Sequence, residues 1–138
     1  MSNKSNRPWY AFDLDKTLAE YPPKNGETIG APIPNIVRVL KKYIREGKDC
    51  RIFTARVGPD KSAFEINQFK YDLDRWLQKN VGTTLVATCE KDHLVMEIWD
   101  DRAKQVVPNT GEILEDTLEM MKRYQKANEA KPKPYGGY

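Results

Sequence analysis

Two cysteines and a single histidine are all that this chain of 138 residues offers in the way of soft metal ligands. Cys50 and Cys89 lie in or beside apolar runs at no recognised metal-ligand spacing, which argues against a zinc site and for free thiols in a reducing compartment rather than a disulfide. His93 has no Cys or His partner nearby in the sequence and reads as a bystander. No apolar run approaches the length that spans a bilayer, and MSNKSNRP at the start lacks the apolar stretch of a signal peptide, so the expectation is a cytoplasmic protein without a membrane partner. Strong charge of one sign is missing too. The 23 basic and 20 acidic residues leave a net +3, and much of that excess falls beyond Lys122. A near-neutral body argues against a broad basic face for nucleic acid, although the basic tail adds weak attraction to a polyanion.

With 39% hydrophobic and 31% charged residues, the chain has the make-up of a globular domain with a real core. The expected organisation is one domain over 1–127 and a flexible tail over 128–138, where NEAKPKPYGGY carries little that could be buried. The stretch Arg7 to Thr17, RPWYAFDLDKT, organises the rest. Trp9, Tyr10 and Phe12 favour a buried strand, and Asp13 and Asp15 follow where that strand would end. In an open α/β sheet ligands bind at that end. Two carboxylates so close repel each other, and a fold that keeps them together calls for a cation or a shared proton. Mg2+ suits a few carboxylate oxygens best. A polar turn built from Asp and Thr is the alternative for this segment taken alone.

Partners for those acids lie further along, each at the end of another strand-like run. The proline- and glycine-broken segment from Tyr21 to Pro34 reads as a loop or flap. Asn35 is expected to cap a helix ending at Gly47, with Ile36, Val37, Val39, Leu40, Tyr43 and Ile44 on its inner face. Cys50 to Phe53 forms a second strand that ends in Thr54, Ala55 and Arg56. A helix over about 61–79 follows, with Phe64, Ile66, Phe69, Leu73, Trp76 and Leu77 facing the core. Thr84 to Thr88 and Leu94 to Trp99 are two more strands, the second ending in Asp100 and Asp101. A short strand over 105–107 and a helix over about 112–127 complete the pattern. Strands alternating with helices imply a mostly parallel sheet, which would gather Asp13, Asp15, Thr54, Asp100 and Asp101 at one edge. Arg56 at that edge could hold a second phosphate or a substrate carboxylate through its fork, or pair with Asp60 or Glu65.

DLDKT at 13–17, FTAR at 53–56, a lysine at 91 and WDD at 99–101 resemble, in order, the four motifs of the haloacid dehalogenase-like superfamily of phosphatases and phosphotransferases. The resemblance covers the body from Trp9 to about Gly111 and implies a Rossmann-like three-layer α/β sandwich with a mostly parallel central sheet. On that likeness Asp13 is the nucleophile that becomes an aspartyl phosphate, and Asp15 is the acid and then the base. The Asp15 backbone carbonyl, Asp13 and one or both of Asp100 and Asp101 would hold Mg2+. Thr17, Thr54, Arg56 and Lys91 would contact the substrate, with Thr54 and Lys91 on the phosphoryl oxygens. Lys91 stands only nine residues before Asp100, where the family usually has a helix between its third and fourth motifs.

Relatives usually carry an inserted cap. Here each gap between motifs holds about one helix and its loops, so the expectation is a capless enzyme with at most the flap from Tyr21 to Pro34. An open site admits a phosphate on something large, such as a nucleic-acid end, or is completed by homo-oligomerisation. The paired aspartates of WDD resemble the phosphatase halves of polynucleotide kinases, and the small size is similar to short phosphatase-like proteins of bacteriophages. Two other readings stay open: a small-molecule phosphatase acting on nucleotides or sugar phosphates, and a non-catalytic module that keeps a phosphate pocket for recognition.

Overall fold

Four short apolar runs become the four strands of an all-parallel sheet in the computed structural model, which describes residues 6–114, 119, 121–123, 125 and 126. The order of elements is β1 (Trp9–Asp13), α1 (Pro34–Arg45), β2 (Asp49–Phe53), a 3-10 turn (Ala55–Val57), α2 (Ala63–Asn80), β3 (Ala87–Thr88) and β4 (Val95–Trp99). Across the sheet the strands run β3, β2, β1, β4, so the first strand lies inside and receives a partner on each side. The fold is therefore α/β with a Rossmann-like parallel sheet flanked by helices. No further domain interrupts β1 to α1 or β2 to β3, in keeping with a capless architecture. The chain divides into two compact units, Met1–Asp101 and Arg102–Tyr138.

Side-chain alternation along β1 separates two faces. Tyr10 and Phe12 look toward α1: Phe12 stacks on Trp99 with ring centroids 5.8 Å apart and meets the edge of Tyr43 at 5.8 Å, while Tyr10 meets Tyr43 at 5.3 Å. These rings lie beside a core that joins Val37 and Leu40 of α1, Phe69, Leu73, Trp76 and Leu77 of α2, and Cys50 and Ile52 of β2. Trp9 and Ala11, on the other face, are fully buried. The Arg51 guanidinium covers the Trp9 ring at 4.5 Å, and the indole Nε1 donates to Asp92 Oδ1 at 2.8 Å. Cys50 and Cys89 are both free thiols.

Local physics moves several expected features. Asn35 does not cap α1. Pro34 already holds the helical φ at the first position, Ile33 is the capping residue, and the Asn35 side chain accepts instead from Arg38. α2 starts from Ser62, whose hydroxyl accepts from the Glu65 amide while Glu65 accepts from the Ser62 amide, a reciprocal cap that sequence reading passed over. Phe64 is not a core residue: it is 77% exposed because it precedes Phe69 by five positions, about 140° around the helix. β3 is limited to Ala87–Thr88 rather than running from Thr84, although the Ile52 amide reaches back to the Val86 carbonyl.

The segment from Tyr21 to Pro34 is docked rather than loose. Ile29 enters the core, Ala19 bridges to Pro32, and the Trp76 indole donates to the Gly30 carbonyl at 2.8 Å. Glycine is required at 30, since a Cβ there would stand 1.9 Å from the Glu20 carbonyl oxygen. In the second unit, 105–107 contributes only an isolated antiparallel bridge, Val106 to Ile113, so residues 112–114 close a small turn instead of opening a helix. Residues 119, 121–123, 125 and 126 are helical, as expected for part of 112–127. The expected tail over 128–138 lies outside the described residues.

Leu40 is fully buried and Phe64 is not, so Leu40→Ala should cost about 2–5 kcal/mol. Phe64→Ala should stay within about 0.5 kcal/mol. Urea denaturation of the two variants checks this, and equal losses would contradict the assigned face of α2.

Candidate active site

Register decides what meets at the sheet's C-terminal edge. Phe12 pairs with Trp99 and Asp13 with Phe53, so the next residue along β4, Asp100, comes beside Asp13, and Thr54 extends one step past β2. Leu14 and Leu18 are fully buried and anchor the loop that follows β1. Lys16 takes a left-handed conformation with φ 73°, and the amides of Thr17, Leu18 and Ala19 all turn back to the Leu14 carbonyl. That tight turn returns Thr17 to Asp13.

The Thr17 hydroxyl donates to Asp13 Oδ2 at 2.9 Å and accepts from the Asp101 amide at 3.1 Å. One buried hydroxyl thus ties the first strand's acid to the last strand's. Asp13, Asp100 and Asp101 each offer a carboxylate oxygen, and the three oxygens lie within 4.8 Å of one another. Burial, followed by the Asp100 charge, pushes the Asp13 carboxyl up to about 7; the Thr17 hydrogen bond works against this and Asp101 adds to it. All three donors are hard oxygens, a set that fits Mg2+ better than a thiophilic metal.

Asp15 is held apart from that trio. Arg56 grips it through two parallel bonds, Nε to Oδ2 at 2.9 Å and Nη2 to Oδ1 at 2.6 Å. Arg56 pairs with neither Asp60, which bonds Lys61, nor Glu65, which belongs to the α2 cap. Its Nη1 donates to the Thr28 carbonyl at 2.7 Å. Thr54 is buried and caps the 3-10 turn, its hydroxyl accepting from the Arg56 amide at 3.2 Å.

Of the expected site residues, then, Asp13, Thr17, Asp100 and Asp101 form one cluster, and Asp15 and Arg56 form a second. Thr54 supports the second cluster. Lys91 joins neither: it is exposed, one residue before the Asp92 that bonds Trp9 at the opposite end of β1, and no contact among the described residues links it to the acids. The Thr28 carbonyl and the Gly30 turn, which tie the flap to Arg56 and Trp76, were not foreseen as parts of the site, because a main-chain oxygen leaves no mark in a sequence. A groove of about 840 Å³ between the flap and α2, lined by Thr28, Arg75, Trp76 and Lys79 among others, contains none of the acidic trio.

No family model matches the chain, and no curated protein matches it. Among solved structures it is similar to one described as "Structure of the conserved protein coded by locus from Bacteroides thetaiotaomicron", at 19% identity and a TM-score of 0.44, covering 91% of this chain and 93% of that one. Among the described residues no helix is long and apolar enough to cross a membrane.

With divalent cations removed, folded Asp13 keeps its proton to about pH 7, whereas the unfolded chain loses it near the ordinary aspartate value. Between those limits the unfolded state binds fewer protons, so this group's contribution to stability falls as pH rises. The melting temperature in chelator should therefore drop from about pH 5 to 7 more steeply for the native chain than for Asp13→Asn, and Mg2+ should flatten the difference. Parallel slopes would contradict the Asp13 environment.

Proposed function

We propose that the chain is a haloacid dehalogenase-like phosphatase, a Mg2+-dependent phosphomonoester hydrolase working through Asp13. The observation that carries this reading is the convergence of Asp13, Asp100 and Asp101 at one strand edge, locked by the Thr17 hydroxyl. Such crowding is costly for a purely structural surface and useful for a site that must hold a cation against a phosphate.

Asp13 attacks phosphorus, and its carboxylate takes the phosphoryl group while the alcohol departs. Thr17 keeps the attacking carboxylate in one orientation. Asp15 protonates the leaving oxygen and afterwards withdraws a proton from the water that hydrolyses the aspartyl phosphate. Thr54 and Arg56 receive phosphoryl oxygens. Asp13, Asp100 and Asp101, together with the Asp15 carbonyl, would hold Mg2+, which would offset negative charge between nucleophile and phosphate. Arg56, which stands at the edge that holds the acids, takes the cationic role that the resemblance gives to Lys91.

The absence of an inserted cap supports a substrate larger than a metabolite, with the phosphorylated end of a nucleic acid as the favoured class. A nucleotide or sugar phosphate is the second reading, favoured by the docked flap that reaches Arg56 through Thr28. Free thiols are in keeping with a reducing, cytoplasmic setting.

Phosphate release from 3′-phosphorylated oligonucleotides and from a metabolite panel tests the activity. Asp13→Asn should lose about a thousandfold or more of kcat, and excess chelator should abolish turnover. Release that survives Asp13→Asn contradicts the nucleophile, and release that survives chelation contradicts the metal. A native chain that binds phosphate without any turnover would be a recognition module.

A further inference from the structure

Arg56 is fixed from several directions. Its Nε and Nη2 form the fork on Asp15, Nη1 holds the Thr28 carbonyl of the flap, and its guanidinium carbon lies 5.3 Å from the centre of the Phe69 ring. Both members of the ion pair keep about a quarter of their side-chain surface exposed, Arg56 24% and Asp15 25%, so an incoming solute can reach them.

This arrangement conflicts with one step of the phosphoryl-transfer reading, on which the inference rests. Nε and Nη2 are both taken by Asp15 and Nη1 by the Thr28 carbonyl, so the edge that would receive a phosphoryl oxygen is already occupied. The fork must therefore open before the first chemical step. A phosphate monoester brings up to two negative charges and three terminal oxygens, against a single charge on Asp15, and is the stronger partner for a planar fork.

We propose that Arg56 is a positioning residue that changes partner. In the resting protein its Nε and Nη2 edge holds Asp15. When a phosphomonoester or inorganic phosphate enters, that edge passes to a phosphoryl oxygen and Asp15 is released, while Nη1 stays on the Thr28 carbonyl as the pivot. Asp15 and the ligand thus compete for one guanidinium, and the acid is set free only when an anion is present to replace it.

Competition of this kind is read by a double-mutant cycle on binding of inorganic phosphate, titrated calorimetrically into the Mg2+-loaded native chain, Asp15→Ala, Arg56→Ala and the double variant at fixed pH and salt. Removing Asp15 should tighten phosphate binding about fivefold when Arg56 is present, the scale expected of a partly exposed ion pair. In the Arg56→Ala background the same removal should change it less than about twofold, the remaining effect being loss of one negative charge from the site. An equal gain in both backgrounds, or no gain with Arg56 present, overturns the exchange. Should Asp15→Ala fail to fold, Asp15→Asn replaces it. The Arg56 Nε proton resonance of the native chain gives a second readout: it should shift on saturation with phosphate, and an unmoved resonance overturns the proposal. A native chain that hydrolyses phosphomonoesters but gives an additive cycle loses only the role of Arg56. One that binds no phosphate at millimolar concentration loses the phosphatase reading and this inference together.

Discussion

Charge crowding at the end of β1 is the constraint around which the first unit is arranged. Parallel pairing with β4, which shifts register between Trp9 and Tyr10 and then runs Phe12 against Trp99, sets Asp13 beside Asp100, and the Thr17 hydroxyl draws in the Asp101 amide. Burial, followed by the Asp100 charge, raises the proton affinity of Asp13 within this group of three carboxylate oxygens, and nothing in β-sheet formation requires such a cost. What sustains it is rigid support from below. Leu14 and Leu18 are fully buried, Phe12 stacks on Trp99 and meets Tyr43 edge-on, and the left-handed Lys16 closes the loop. Apolar burial of this kind stabilises by about 1.5–3 kcal/mol per large side chain, enough for a few residues to offset one strained acidic site.

A fourth carboxylate added to that trio would worsen the repulsion, and the fold avoids this by giving Asp15 its own cation. Asp13 and Asp15 flank the buried Leu14 and take different partners, the Thr17 hydroxyl and the Arg56 guanidinium. Asp15 meets Arg56, delivered by β2 and the 3-10 turn that Thr54 caps. Because the same guanidinium reaches the Thr28 carbonyl, the flap, the acid and the second strand tip form one connected set, although they come from distant parts of the chain.

How much of this could be read beforehand follows from the range of each interaction. The strands over Trp9–Asp13, Asp49–Phe53 and Val95–Trp99, and the polar residues at their tips, were legible because apolar runs ending in polar residues are local patterns. The inner face of α1 was legible for the same reason. Phe64 was misread because hydrophobicity alone does not say on which side of a helix a residue falls, and Asn35 because Pro34 at the preceding position had already set the helix start. Arg56 was expected to pair with Asp60 or Glu65 if with any acid of the chain, and the Asp15 it takes follows the neighbouring strand β1, a choice set by strand order rather than by neighbours in sequence. The pinning of the flap through main-chain carbonyls of Thr28 and Gly30 was beyond reach, since every residue carries such an oxygen.

The central claim is that acids from both ends of the first unit surround one divalent ion. Anomalous diffraction from crystals grown with Mn2+ in place of Mg2+ tests it most directly. The account predicts a strong peak about 2.1 Å from carboxylate oxygens of Asp13 and of Asp100 or Asp101. Ions bound elsewhere, with Asp13 and Asp100 making no contact to metal in fully loaded crystals, would contradict it.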